Sequence, residues 1–217
     1  MRQFILGSLL TAALFSILDA REPYTEAQIK EVEAWLPDKP GVTHHPVTDR
    51  AYWDGVKGLL GDGVIADAEK CLSASAPAWS EDTYRIYFKT GSRKEGEDML
   101  RPGWERLQRL AAAECLEGKG RFIKAIEVQL LDLATQPSWV LPAHDRNEEV
   151  IDGKAQYIEL RSANLGSDIA LTLEWFGDKL DPAVRGSIET ALKQNQPHAM
   201  PSWLNSTLSA SVVRLTD

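Results

Sequence analysis

Apolar residues recur every three or four positions along most of this chain, the spacing of helices that bury one face. Thr25-Glu26-Ala27-Gln28 opens the first such segment as a capping box, Ile29, Val32 and Trp35–Leu36 share a face, and Pro37 stops it. A loop from Gly41 to Pro46 follows. Asp49 then caps a helix with Tyr52, Trp53, Val56, Leu59 and Leu60 at helical spacing, broken by Gly61-Asp62-Gly63. The next helix, Val64 to Ser73, lines Ile65, Ala68 and Leu72 along one side. Ser80 caps a segment carrying Tyr84, Tyr87 and Phe88, which Gly91 ends.

The clearest period runs from Met99 to Leu116, through Leu100, Trp104, Leu107, Leu110, Ala111, Glu114 and Cys115, and Gly118 and Gly120 terminate it. Phe122 to Leu133 repeats the pattern with Ile123, Ile126, Leu130 and Leu133. Ile158 to Phe176 places Leu160, Leu165, Ile169, Leu173 and Phe176 inward, and Asp181-Pro182 starts a last helix reaching about Asn195. Between these, Pro137 to Gly153 is the longest irregular stretch, and long loops in a regular chain are where function concentrates. No run alternates as a strand does, and no repeat of fixed period is visible. The predicted fold is all-α, built of antiparallel helical hairpins joined by short loops.

Composition narrows the picture. The chain has 217 residues, 43% hydrophobic and 26% charged, as an ordinary globular protein does. Its formal net charge of −8 argues against a nucleic-acid partner, which needs a basic face, although a local basic strip can coexist with an acidic shell. Residues 1–20 read as an export signal: Arg2 leads, Phe4 to Leu18 is apolar, and the cut follows Ala20. The apolar run is shorter than the roughly 20 residues of a membrane span. A membrane anchor or a buried first helix are the alternatives. A periplasmic or secreted location follows from the signal reading, with no membrane span after its removal. Cys71 and Cys115 either form one disulfide in that compartment or sit as small buried residues on helices. Neither has the spacing of a metal site, and no cofactor is expected.

Two stretches carry a family resemblance. One is Arg106 to Leu130, centred on Ala113-Glu114-Cys115-Leu116-Glu117-Gly118-Lys119-Gly120-Arg121-Phe122. The other is Ser138-Trp139-Val140-Leu141-Pro142-Ala143-His144-Asp145, followed by Ile158-Glu159-Leu160 and Gly177-Asp178-Lys179-Leu180-Asp181-Pro182. In this order they resemble the helical amino-terminal domain of heparinase II/III-like polysaccharide lyases. Glu159 stands where that family commonly has Asp. The resemblance covers about residues 77–195. It implies an incomplete α/α toroid over residues 21–200 and an acidic polysaccharide or oligosaccharide as partner. It also implies β-elimination, which needs a group to neutralise the uronate carboxylate, a base for the C5 proton and an acid for the leaving oxygen. The sequence departs from the family after Trp203-Leu204-Asn205: the Asn-Asn-Trp-Asn type of motif is absent, and residues 201–217 form a divergent tail. The chain is therefore expected to be a lyase fragment that lacks its catalytic core and is inactive alone. A non-catalytic carbohydrate-binding module and an inverting glycosidase are the alternatives. The sequence names neither the polysaccharide nor an oligomeric state.

Within this frame the substrate-binding candidates are Trp139, His144 and Asp145. The Trp139 ring can stack on a sugar face or fill the core, as can any of the seven tryptophans. His144 can hydrogen-bond a sugar or brace the loop, and Asp145 can orient His144 or take a sugar hydroxyl. His44–His45 reads as a solvated loop, since adjacent imidazoles point apart. Asp145, Glu148, Glu149 and Asp152 read as a solvated acidic cluster or as paired glycosidase carboxylates. Arg161 and Arg185 are candidates to meet acidic sugars. Asn205 and His198 belong to the tail.

Overall fold

A computed structural model describes residues 25–35, 45–74 and 78–195, and among these there are helices and turns but no strand. The chain divides into two units, Met1–Thr43 and His44–Asp217. In the first, α1 (Glu26–Trp35) begins as the sequence predicts: the Gln28 N–H donates to Thr25 Oγ1 and the Thr25 N–H to Gln28 Oε1, a reciprocal cap. The proposed signal at residues 1–20, His44, His198 and the tail with Asn205 lie outside the described residues.

The second unit holds α2 (Arg50–Leu60), α3 (Gly63–Ser73), α4 (Glu81–Tyr84), α5 (Ile86–Thr90), α6 (Lys94–Glu117), α7 (Ile123–Ala134), α8 (Leu160–Phe176) and α9 (Pro182–Asn195). The predicted caps form. Asp49 accepts from the Tyr52 N–H, Ser80 from Thr83, and Asp181 from Ala183. Gly118 ends α6 in the left-handed region at φ 66° and passes its N–H to the Glu114 carbonyl. The two carboxylate oxygens of buried Glu114 then take the N–H groups of Gly120 and Phe122, closing the turn into α7.

The main core runs from Trp53 through Leu107, Leu110, Phe122, Ile126, Leu130, Leu165, Ile169 and Phe176 to Ile188, and Tyr84, Met99 and Leu100 form a second, smaller buried cluster with Trp79, Phe88, Leu141 and Ile151 against it. The helix directions follow from which residues meet. Asp168 accepts from Trp104 and Gln108, and Arg161 reaches the Leu100 carbonyl, so α6 and α8 run the same way. Short connections turn α7 back on α6 and α9 back on α8, so these two run the opposite way and pack on each other. Arg106 caps the C-terminal end of α3 through the Cys71 and Ala74 carbonyls, while Arg109 lies beside Asp67, so α3 is antiparallel to α6.

Four sequence expectations are corrected. The long helix starts at Lys94 rather than Met99 and runs straight through Pro102. A proline there costs about 3 kcal/mol, which burial of Leu100, Gly103 and Leu107 around it offsets. Leu160, expected inward, is 73% exposed, because Glu159 caps α8 and leaves Leu160 on the outer side of the first turn. Cys71, not Leu72, completes the buried face of α3. On α2 only Trp53 is buried, and Leu59 and Leu60 are exposed. Cys71 and Cys115 are free and buried on separate helices, so the disulfide alternative falls away. No helix among the described residues is long and apolar enough to cross a membrane.

Candidate functional site

The loop between α7 and α8 is not a loose strap. It begins with buried residues: Ser138, Trp139 and Val140 are all nearly inaccessible. The Trp139 indole N–H donates to the Leu133 carbonyl at 2.9 Å and the ring packs in the main core, 1% exposed. A ring without a free face cannot stack on a sugar. The structure gives Trp139 to the core, and the stacking role expected for it finds no geometry here.

Asp145 is also interior, 4% exposed. Its carboxylate accepts from the Val150 and Ile151 N–H groups at 2.9 and 3.0 Å and from the Tyr84 and Tyr157 hydroxyls at 3.2 Å each. These bonds fold residues 145–151 onto the carboxylate, so its lone pairs serve the loop and not a ligand. Burial, with the Asp145 charge beside it, pushes the Tyr84 hydroxyl far above its usual range, so it stays protonated and donating. The acidic cluster is divided in the same manner. Arg85 holds Glu148 at 2.7 Å and Asp152 at 2.8 Å. That grip coincides with two consecutive residues, Asn147 and Glu148, in the left-handed region at φ 55° and 59°, an arrangement costing about 1–3 kcal/mol per residue. With Asp145 and Glu148 both committed, a pair of free glycosidase carboxylates is not present in this loop. No group of acids, histidines and cysteines suited to a metal ion occurs among the described residues.

His144 stands differently. It follows Pro142 and Ala143 in a single 3-10 turn whose position is set by Pro142 packing against Gly96 of α6. A Cβ on Gly96 would meet Pro142 Cγ at 2.8 Å, so only glycine allows this approach. The His144 side chain is 31% exposed, and its Nδ1 lies 2.9 Å from Glu159 Oε2. The orienting carboxylate is therefore Glu159 and not Asp145, a correction to the sequence reading. Glu159 is itself fixed: Oε1 accepts from the Leu141 and Ser162 N–H groups, and Oε2 also accepts from the Arg161 N–H. The Ser162 hydroxyl in turn takes the Glu159 N–H at 2.9 Å, completing a capping box at the start of α8. Since the carboxylate only accepts, Nδ1 donates, and the neutral ring keeps a lone pair on Nε2. Nε2 has no hydrogen-bond partner among the described residues.

The ring lines an open cavity of about 570 Å³ together with Ala143, Arg146, Glu149, Tyr157 and Glu159. Arg146 contributes a guanidinium that makes no hydrogen bond or ion pair of its own. The Tyr157 hydroxyl accepts the Arg146 N–H and donates within the loop, bracing the wall, and burial raises its pKa above the usual range. An unpaired guanidinium beside a carboxylate-oriented imidazole can hold an anionic group and accept a proton next to it.

Of the two arginines proposed to meet acidic sugars, Arg161 is 4% exposed; its Nη1 and Nη2 donate to the carbonyls of Trp139 and Leu100 and to Gln136, and its Nε has no hydrogen-bond partner among the described residues. Burial pulls its pKa down to about 10, still charged at neutral pH. It fastens the loop to α6 and α8 from inside. Arg185 pairs with Glu189 at 2.9 Å. His45 is exposed, stacked on Tyr52 at 3.7 Å and bonded to Asp49 at 2.8 Å. Sequence reading missed Arg146, Tyr157 and the role of Glu159. The signal for Glu159 was local: an acidic residue three positions before a serine at the head of an apolar period. No family model and no curated protein matches the chain.

Proposed function

We propose that residues 44–195 are the helical domain of a heparinase II/III-like polysaccharide lyase, that this domain is part of an α/α toroid, and that it binds acidic polysaccharide at the His144 cavity. The observation that carries the ligand reading is the His144–Glu159 pair: a ring with Nδ1 fixed on a capped carboxylate and Nε2 unpartnered, beside the free Arg146 guanidinium. A uronate offers both the anion that Arg146 takes bidentately and the acidic C5 proton that a ring nitrogen removes. Two further features support the family reading. The parallel pair α6 and α8, backed by α7 and α9 running the other way, is the layering that two successive hairpins of a toroid require. The motif Trp139 to His144 also supplies both a core anchor and the cavity ring, so the family's residues serve fold and site together. Trp139 and Asp145 enter this reading as supports of the loop, and His144 as the ligand-facing residue.

The test is calorimetric titration of the chain with alginate, chondroitin and heparan oligosaccharides, with absorbance of the unsaturated product followed in parallel. Saturable binding that His144→Ala and Arg146→Ala each weaken supports the reading. Product formation adds β-elimination, and binding without product identifies a non-catalytic carbohydrate module. Failure to bind any acidic oligosaccharide contradicts the reading.

A further inference from the structure

The acids around the His144 cavity are committed to the fold, with one exception. Asp145 gathers the loop around itself, Arg85 takes Glu148 and Asp152, and Lys154 also takes Asp152. Glu159 accepts from three backbone N–H groups and from His144. Glu149 lines the cavity, and its carboxylate makes neither a hydrogen bond nor an ion pair among the described residues. Its main chain is held nonetheless: the N–H donates to the Arg146 carbonyl at 3.0 Å, and the carbonyl accepts from the Lys154 and Ala155 N–H groups at 2.7 and 3.0 Å. The residue is half-buried, where salt screens a charge less than in the open. Burial, then Asp145, then the Glu149 charge raise the Tyr157 pKa, so that charge is felt at the cavity wall. Arg146, three positions earlier and lining the same cavity, does not pair with Glu149. The cavity therefore presents a guanidinium and a carboxylate that do not neutralise each other.

We infer that Glu149 is a specificity-determining residue: among acidic saccharides, the cavity selects those with a free amine beside the uronate over those with a second anion there. This inference rests on the proposed ligand class. Arg146 takes the carboxylate, whose two oxygens match the guanidinium fork. A uniformly anionic chain then brings its next charge toward Glu149, and like charges set together oppose binding. A protonated amine in that place finds its counterion in Glu149 and adds a charge-assisted hydrogen bond. Arg146 alone favours any polyanion; Glu149 makes the charge next to the uronate matter.

The test uses heparin-backbone tetrasaccharides that differ only at the amino-sugar nitrogen: N-sulfated, N-acetylated, or with the amine free. Each is titrated calorimetrically into the wild-type chain and into Glu149→Gln at about pH 7, where an amine of this kind is mostly protonated. Circular dichroism checks the helix content of the variant. The wild type binds the free-amine form most tightly, the N-acetylated form next and the N-sulfated form least. About threefold comes from the attraction gained and about threefold from the repulsion avoided, so the extremes differ about tenfold. The spread narrows at high salt. In Glu149→Gln the three affinities converge to within about twofold. Equal affinities in the wild type, an N-sulfated form bound most tightly, or an order that the substitution leaves in place overturns the role of Glu149 and leaves the cavity reading standing. Absence of binding by all three forms overturns the cavity reading, and the role of Glu149 with it.

Discussion

Replacing Glu159 by Gln tests the site at its hinge, because the carboxylate has four donors around it and an amide can satisfy only some of them. Leu141 and Ser162 present N–H groups to Oε1 at 3.2 and 2.9 Å, and neither can do anything but donate. The amide oxygen of the substituted side chain therefore takes the Oε1 position, and its NH₂ takes that of Oε2. There it faces the Arg161 N–H, formerly bonded at 2.9 Å, and His144 Nδ1. The Arg161 N–H loses its acceptor, a cost of about 1–3 kcal/mol for a donor shielded from water. The cap keeps one of its two backbone bonds, so about 2 kcal/mol is the expected loss. For a chain of this size that lowers Tm by about 4–8 °C. The ring responds in its own way: to accept from the new NH₂, Nδ1 gives up its proton, and Nε2 becomes the N–H. The cavity then faces a donor in place of a lone pair. Nitrogen NMR of the neutral ring reads this directly. In the wild type His144 carries its proton on Nδ1, in E159Q on Nε2, and proton-accepting chemistry at the cavity disappears while anion binding through Arg146 survives. A wild-type ring protonated on Nε2, or a tautomer indifferent to the substitution, refutes the argument.

Other consequences are independent of this one. Gly96→Ala forces Pro142 away from α6; a loss of about 1–3 kcal/mol in urea melts and displaced His144 ring resonances are expected. Arg161→Ala strands the Trp139 and Leu100 carbonyls and the Gln136 side chain; about 3 kcal/mol of destabilisation in denaturant melts is expected. Burial pushes the Cys115 thiol up to about 12, so a thiol reagent at pH 8 labels it only as fast as the protein opens, and unfolding in guanidinium releases it at once. Lys154 and Arg85 together hold the Asp152 carboxyl below its usual 3.8. A lowered folded-state pKa contributes stability that is complete above about pH 4 and fades as pH falls below it. Amide protection at residues 146–154, measured relative to the intrinsic exchange rate at each pH, therefore falls in that acid range before that of the α6–α8 core.

The fold was legible in the sequence where burial and period coincide. Leu107, Leu110, Ile126, Leu130, Leu165 and Ile169 are all inaccessible and all stood on predicted apolar faces. Period alone misled where a cap shifts the start of a helix, as Glu159 does for Leu160, or where the first turn is polar and carries no apolar period, as Lys94 to Asp98 does in α6. The site was legible only in part. His144 could be singled out because histidine is rare here and lies in the longest loop. Trp139 and Asp145 stood out by their place in the same loop, but their chemistry is spent inward, on the Leu133 carbonyl and on three donors of the loop together with the Tyr84 hydroxyl. Nothing local in a sequence says which way a loop side chain points. Arg146 and Tyr157 reach the cavity through contacts across 11 residues of irregular chain, beyond the range of any periodic signal.

The central claim is that acidic saccharide meets this domain at His144. Backbone and side-chain NMR shifts of the labelled chain, recorded through a titration with an acidic octasaccharide, locate the contact directly. Saturable changes concentrated on His144, Arg146, Glu149 and Tyr157, and lost in H144A, are the predicted result. Changes centred instead on the separate cavity by Asp67, Lys70 and Arg109, or none that saturate, would contradict the account.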